Sequence, residues 1–152
     1  MRFSNMNLTD LSPQSIIDCS KEDHGCEGGR VISALGAMEK LGGITSEAKY
    51  PYKGVAGPCN MESQDVVFKF GGFWQPRVGD EDLLKSILTM RGPIAVQVDG
   101  SRASFKDYKG GVYNDPDCSE NIELLNHAML LVGYGTDLTD GDYWILVSAY
   151  ES

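Results

Sequence analysis

The side chains that could carry out nucleophilic or acid–base chemistry in this sequence are two histidines and four cysteines. His127 follows a polar segment and opens an apolar run, so its imidazole would lie at the start of a rigid strand. His24 lies in a polar loop with no strand behind it. An imidazole titrates near neutral pH and can activate a thiol or a hydroxyl as a nucleophile. His127 is therefore the histidine placed to serve a site, although a histidine at a strand start is more often structural.

The four cysteines are Cys19, Cys26, Cys59 and Cys118. No two of them have the short spacing that is typical of a zinc knuckle or a redox dithiol. Four cysteines allow three disulfide pairings, and spacing alone does not choose among them. Buried free thiols are an equally ordinary interpretation. The cysteines alone therefore leave their chemistry open.

Helix signals dominate the first part of the chain. Ser12 and Pro13 are typical of a helix start. A second helix is predicted between Gly28-Gly29 and Gly42-Gly43, with a stripe of apolar residues at helical spacing: Val31, Ile32, Leu35, Met38 and Leu41. The acidic run from Asp80 opens a third helix, which ends at Gly92, with a predicted apolar face of Leu83, Leu84, Ile87 and Leu88.

Strand signals dominate the last part. Short strands are predicted at 94–98 and 143–147, and 112–113 reads as a further extended piece. The apolar run 128–132 predicts a strand buried on both faces, which Gly133 and Gly135 then break. Helices followed by strands indicate an α+β protein with two unlike halves.

Composition excludes two classes of function. The 152 residues carry 13 basic and 22 acidic side chains, a net charge of −9, and we find no basic face for phosphate binding, which argues against nucleic acid as a partner. No apolar run approaches the roughly 20 residues that span a bilayer, so we expect no membrane partner. Residues 1–10 carry one positive charge and no apolar segment, so we do not expect them to act as a signal peptide. With 41% apolar residues the chain can build a packed core.

Several segments in register resemble the papain family of cysteine proteases, most closely its cathepsin L-like members. The segments are Leu11 to Ser20, Gly25-Cys26-Glu27-Gly28-Gly29, Gly42-Gly43-Ile44 followed by Tyr50-Pro51-Tyr52, Gly92 to Val96, Phe105 to Tyr113, Asp117-Cys118-Ser119, and Asn126-His127-Ala128 leading to Val132-Gly133-Tyr134-Gly135. Their order and spacing match the family over nearly the whole chain.

The resemblance implies a papain-like two-lobe α+β fold. A helical left lobe would take residues 1–92 approximately, and a β-barrel-type right lobe residues 93–152, so that 1–152 is a partial peptidase domain, incomplete at both ends. The resemblance also implies a disulfide between Cys19 and Cys59. Cys26 and Cys118 would be left unpaired, because their family partners would lie before residue 1 and beyond residue 152.

The resemblance makes His127 the catalytic general base and acid. The family's cysteine signature is absent from this sequence. In the family the nucleophile precedes the histidine by roughly 130–150 residues, and counting back from His127 by that number falls before residue 1.

Ser148 stands where the family has the asparagine that orients the histidine, and Tyr150 replaces the tryptophan that shields that hydrogen bond. We expect the serine hydroxyl to be too short to reach the ring.

The resemblance also assigns substrate contacts. Gly28 and Gly29 would pair through their backbone with an extended peptide, although helix entry explains the same glycines equally well. The pocket for the second residue before the cleaved bond would be lined by Arg30, Val31, Gln97, Leu125, Asn126 and Ala128. Arg30 and Gln97 depart from the apolar pocket of cathepsin L-like enzymes, so we expect tolerance of polar or acidic residues there.

The leading prediction is a cysteine endopeptidase present as a fragment and inactive as given. The alternative is a non-catalytic pseudoprotease that binds peptides or inhibitors. A third possibility is that the chain does not fold, because the resemblance implies that the central helix carrying the nucleophile is missing, and we therefore expect marginal stability. Peptide or protein substrates and cystatin-like or propeptide inhibitors would be its partners, with no metal or other cofactor. The family's compartments are lysosomal or extracellular.

Overall fold

The computed structural model describes residues 8–69 and 71–148. The chain divides into two compact units, and the boundary between them along the sequence lies between Trp74 and Gln75. The first unit contains helices α1 (Pro13–Cys19) and α2 (Val31–Lys40) and strands β1 (Ile44–Thr45) and β2 (Val66–Phe68). The second contains α3 (Glu81–Arg91), β3 (Ile94–Val98), α4 (Ala103–Lys106), β4 (His127–Asp137) and β5 (Gly141–Val147). Short 3-10 turns lie at Gly25–Glu27, Ser63–Asp65 and Ile122–Leu124. This mixture of helices and antiparallel strands is an α+β fold, as predicted.

The start of α1 follows the predicted signal. The Ser12 hydroxyl accepts a hydrogen bond from the Ser15 amide at 3.0 Å, and Pro13 takes the first helical position. The same hydroxyl donates to the Tyr50 carbonyl at 2.5 Å, and the Ser12 amide donates to the Thr45 carbonyl at 3.0 Å. The cap therefore also ties α1 to the chain that follows β1.

The end of α2 requires glycine. The Gly43 amide donates to the Met38 carbonyl at 2.8 Å, which satisfies one of the last carbonyls of the helix. Gly43 has φ 141°, and a Cβ built there would lie 2.2 Å from the Phe68 carbonyl oxygen of β2. A side chain at this position would separate the end of the helix from the two-stranded sheet.

Cys19 and Cys59 form the predicted disulfide, and Cys26 and Cys118 are free thiols. The bond lies in the core of the first unit, whose buried members are Cys19, Met38, Ile44, Tyr50 and Met61. It closes the long connection that leaves the sheet after Thr45. The loop at 50–59 thus has a covalent anchor on α1.

Buried polar side chains hold the same loop. The Gln14 amide oxygen accepts from the Lys53 amide at 2.8 Å, and its nitrogen donates to the Asp18 carboxylate at 2.8 Å. Asp18 also accepts from the Gly57 amide and the Tyr50 hydroxyl, both at 2.8 Å. Burial alone would raise the pKa of Asp18, but these hydrogen bonds to the charged form hold that pKa below its usual value.

Helix α3 belongs by packing to the second unit. Asp80 caps it by accepting from the Leu83 amide at 3.0 Å, and Leu88 is buried on its inner face. The Lys85 ammonium lies 4.4 Å from the centroid of the Tyr134 ring in β4. The division of the chain near residue 92, which we based on element type and which groups α3 with the other helices, stays a prediction.

Strand β4 is the centre of a three-stranded antiparallel sheet in the order β3-β4-β5. The prediction of burial on both faces is wrong, because Leu131 is 1% exposed while its neighbours Leu130 and Val132 are 42% and 38% exposed. One face packs within the second unit and the other carries exposed apolar side chains. A continuous apolar run does not distinguish these two cases.

The prediction that Gly133 and Gly135 break this strand is also wrong, since β4 continues to Asp137. A register shift between Leu131 and Gly133 marks a bulge. A Cβ at Gly135 would lie 2.5 Å from the Tyr143 hydroxyl oxygen of β5, so the partner side chain crosses over the glycine. The segment 112–113, predicted as extended, is loop.

We predict that replacing both Cys19 and Cys59 by serine lowers the free energy of unfolding. The two residues are 40 positions apart, and removing a cross-link over such a loop costs about 4 kcal/mol. Urea denaturation of the 152-residue chain measures the difference, with Cys26→Ser, an exposed free thiol of the same unit, as the matched control. Equal stabilities of the double variant and the control would contradict the prediction.

Candidate active site

His127 is the first residue of β4, and β3 fixes its backbone. Its Cα pairs with that of Val98 in the sheet register, and the preceding Asn126 amide donates to the Val98 carbonyl at 3.1 Å. The imidazole is half-buried. The position predicted from the sequence, a rigid strand start, is confirmed.

The loop after β3 packs against the same histidine. The Gly100 amide donates to the Asn126 side-chain oxygen at 2.9 Å. The Phe105 ring meets the His127 ring edge to face, with centroids 5.9 Å apart and an interplanar angle of 66°. Phe105 in turn contacts Tyr113 at 5.5 Å in the same manner. Sequence reasoning did not single out Gly100 or Phe105 as site residues, although Phe105 lies in a segment that carried the family resemblance.

Ser148 lies within hydrogen-bonding distance of His127, which contradicts the expectation that its hydroxyl is too short. The Ser148 Oγ and His127 Nε2 atoms are 3.1 Å apart. The strand register explains why the serine is close enough. Val147, the last residue of β5, pairs with Leu130, so Ser148 comes opposite Met129. Met129 is two positions from His127 and therefore on the same face of β4. The strands bring the backbone close enough for a short side chain.

A hydroxyl differs chemically from a carboxamide oxygen at this position. It can accept a hydrogen bond from a protonated Nε2 or donate one to an unprotonated Nε2, whereas a carboxamide oxygen can only accept. The contact between His127 and Ser148 is therefore compatible with either ring tautomer. Tyr150, which we expected to take the place of a shielding tryptophan, lies outside the described residues.

The first unit carries four of the predicted substrate residues: Gly28, Gly29, Arg30 and Val31. The Arg30 amide donates to the Asp23 carboxylate at 2.8 Å, just before α2 begins. A Cβ at Gly29 would lie 2.5 Å from that carboxylate, so helix entry by itself requires glycine there. Gly28 has φ 113° and open space beside it, but its carbonyl accepts from the His24 amide at 2.9 Å and its amide donates to the Gly25 carbonyl at 3.4 Å.

The second unit carries the other four: Gln97, Leu125, Asn126 and Ala128. Gln97 of β3 pairs with Ala128 of β4, next to His127. Ala128 is exposed and Gln97 half-buried. Asn126 and Ala128 adjoin His127 in the chain, and the sheet register brings Gln97 opposite Ala128.

The parts of the chain that the structure describes contain no helix long and apolar enough to cross a bilayer. Within the same residues, no cluster of three or more histidine, cysteine, aspartate or glutamate side chains is arranged to hold a metal ion.

A family model described as papain family cysteine protease matches residues 1–151. The chain therefore belongs to the papain family of cysteine proteases.

The relatives and solved structures agree with this assignment. Cathepsin L of Sarcophaga peregrina is 37% identical over 145 residues, which are 94% of this chain and 42% of that protein. Cathepsin S of Mus musculus is 38% identical over 154 residues, 99% of this chain and 44% of that one. The structure of digestive procathepsin L2 proteinase from Tenebrio molitor larval midgut matches with a TM-score of 0.84 and 35% sequence identity. The match covers 92% of this chain and 43% of the procathepsin chain. The papain-like fold is thereby confirmed, and the chain spans less than half the length of these relatives.

We predict that Ser148→Ala makes the orientation of the His127 ring less restricted. A net hydrogen bond contributes about 0.5–1.5 kcal/mol, so its loss should raise the population of other ring orientations by roughly two- to ten-fold. The nuclear Overhauser effect between the Phe105 and His127 rings, whose centroids are 5.9 Å apart, reports this orientation. Ser86→Ala, which removes an exposed hydroxyl bonded to the Asp82 carbonyl in α3, is the control. An effect in Ser148→Ala equal to that in the control would show that the hydroxyl does not orient the ring.

Proposed function

We propose that this chain is part of a cysteine endopeptidase and supplies the histidine side of its catalytic site. The observation that carries the proposal is the 3.1 Å contact between Nε2 of His127 and the Ser148 hydroxyl. A catalytic imidazole needs a second group that fixes its orientation, and Ser148 provides one. Membership of the papain family supplies the reaction class.

His127 would act through the ring nitrogen on the other side from Ser148, Nδ1. This nitrogen takes the proton of the cysteine thiol, and the thiolate attacks the carbonyl carbon of the peptide bond. The resulting imidazolium gives that proton to the leaving amine, which departs and leaves an acyl thioester. His127 then takes a proton from water, the hydroxide displaces the thiolate, and the acid product is released.

The nucleophilic thiol would come from a residue outside these 152. The sequence carries no Cys-Gly-Ser/Ala-Cys motif, and Cys19 and Cys59 are joined in a disulfide. Cys26 and Cys118 match cysteines that the family uses structurally. More than half of each compared relative has no counterpart in this chain. We therefore expect the 152-residue chain alone to bind peptides without cleaving them.

The test isolates the native polypeptide through peptides unique to this sequence and measures its mass and its hydrolysis of a fluorogenic peptide. We expect a species clearly heavier than 16.6 kDa that hydrolyses the peptide. Alkylation of its thiols should abolish turnover, and His127→Ala should lower it by at least ~100-fold, the scale of general acid–base catalysis. His24→Ala, the other histidine, should retain activity.

Two results would contradict the proposal. Turnover by the 152-residue chain itself would show that its own residues supply the nucleophile. A native species at 16.6 kDa without turnover would favour the non-catalytic alternative.

The predicted substrate residues Arg30 and Gln97 are polar, which supports a preference for polar or acidic residues in the substrate. We predict that the native polypeptide accepts an acidic or polar residue two positions before the cleaved bond. Arg30→Ala should lower the rate for an acidic residue relative to leucine by roughly 1.5- to 5-fold, as expected for an exposed ion pair. A peptide library measures the rates, and Lys21→Ala, another exposed cation of the first unit, is the control. An unchanged leucine or phenylalanine preference in all three proteins would refute the prediction.

A non-catalytic peptide- or inhibitor-binding module is the second candidate. The Cys19–Cys59 disulfide supports it, because it lies in the core of the first unit and anchors the loop at 50–59 without any catalytic residue. Its partners would be substrate-like peptides, propeptides or cystatin-like inhibitors. The disulfide also favours an oxidising location, lysosomal or extracellular, for either function.

A further inference from the structure

Asp99 is a buried carboxylate, 4% exposed, at the point where the chain leaves β3. One oxygen accepts from the Ser101 amide at 3.0 Å and from the Ser101 hydroxyl at 2.5 Å. The other accepts from the Ser119 amide at 3.1 Å and lies 3.7 Å from Nε of Arg102. Asp99 thereby joins the first residues of the loop that follows β3 to a residue near its end.

The hydrogen bonds favour the charged form of this carboxylate. Those from Ser101 and Ser119 lower the pKa of Asp99, and the nearby Arg102 guanidinium adds to the effect. The side chain is therefore a carboxylate anion, and both of its oxygens accept hydrogen bonds. Its contacts are all with loop residues, so the structure that depends on it is the conformation of that loop.

The residue after Asp99 lies directly against His127. A Cβ built on Gly100 would be 2.8 Å from Cβ and 3.3 Å from Cγ of His127. Gly100 also donates its amide to the Asn126 side chain at 2.9 Å, immediately before the histidine. The path of the loop at Gly100 thus limits where the imidazole can lie.

A residue of α4, which lies within the segment that follows β3, limits the ring from another direction. The Phe105 ring contacts the imidazole, and Tyr113 supports Phe105. Ser104, beside Phe105, is hydrogen-bonded to Tyr113 and to Asp115. Both loop contacts with His127 therefore depend on how the segment 99–119 is folded.

We propose that Asp99 is a positioning residue for His127: it holds the loop in the conformation that presses Gly100 and Phe105 against the imidazole. The proposal deepens the proposed function, because it concerns the ring assigned as the base. The position and tautomer of that ring can nevertheless be measured without any turnover.

The test compares the 152-residue chain with its Asp99→Asn variant by NMR of labelled histidine and phenylalanine. The amide group of asparagine would place a donor against the Ser119 amide or lose an acceptor for Ser101, so the loop should shift. We expect the nuclear Overhauser effect between the Phe105 and His127 rings to fall by about half or more. The His24 signals should not change.

Asp137→Asn is the matched control. Asp137 accepts from the Thr139 and Asp140 amides at 2.7 and 3.1 Å in the β4–β5 turn, and its pKa is lowered by those same bonds. It lies at the opposite end of β4 from His127. A loss of loop hydrogen bonds there should leave the His127 signals unchanged, which separates positioning from a general loss of stability.

Two further variants keep the proposal testable if Asp99→Asn does not fold. Ser101→Ala removes one donor to Asp99 and should cause a smaller change of the same direction. Gly100→Ala should displace the imidazole directly, whereas Gly36→Ala, with open space around it, should not. Unchanged His127 signals in folded Asp99→Asn, or in Ser101→Ala where the former fails to fold, would overturn the proposal. An inactive native polypeptide would overturn only the catalytic assignment.

Discussion

The antiparallel pairing of β4 with both of its neighbours is the constraint on which the candidate site depends. On one side, pairing with β3 fixes the backbone at His127 and brings Gly100 against it. On the other side, pairing with β5 brings Ser148 to the ring. A slip by one residue in either register would turn these side chains to the opposite face of the sheet. The bulge after Leu131 lies between the β4–β5 turn and the site and shifts the register by one residue, so that Ser148 comes opposite Met129 and not opposite Leu130.

The elements with local chemical signals could be predicted from the sequence. Ser12-Pro13 and Asp80 cap helices because their side chains satisfy amides in the first turn, and Gly43 ends a helix because no other residue fits beside β2. These effects act within a few residues, or at a position where only glycine is possible. Sequence alone therefore places such boundaries correctly.

The features that sequence reasoning missed depend on partners far along the chain. Gly135 looks like a strand breaker until Tyr143 is known to cross over it. Ser148 looks too short until the register of β5 is known. Asp99 carries no motif, since its partner Ser119 is reached only once the loop has closed. The resemblance to a family supplied the role of His127, but residue-by-residue transfer did not reveal how this chain holds it.

Serine in place of a carboxamide changes how the imidazole must be held. A carboxamide oxygen accepts only, so it selects the tautomer with a proton on Nε2, which leaves Nδ1 able to take a proton from a thiol. The Ser148 hydroxyl does not make that selection by itself. Steric contacts at Gly100 and the Phe105 ring restrict the orientation of the ring without selecting a tautomer. Because Ser148 restricts the ring less than a carboxamide would, a larger share of its orientation depends on the loop that Asp99 organises.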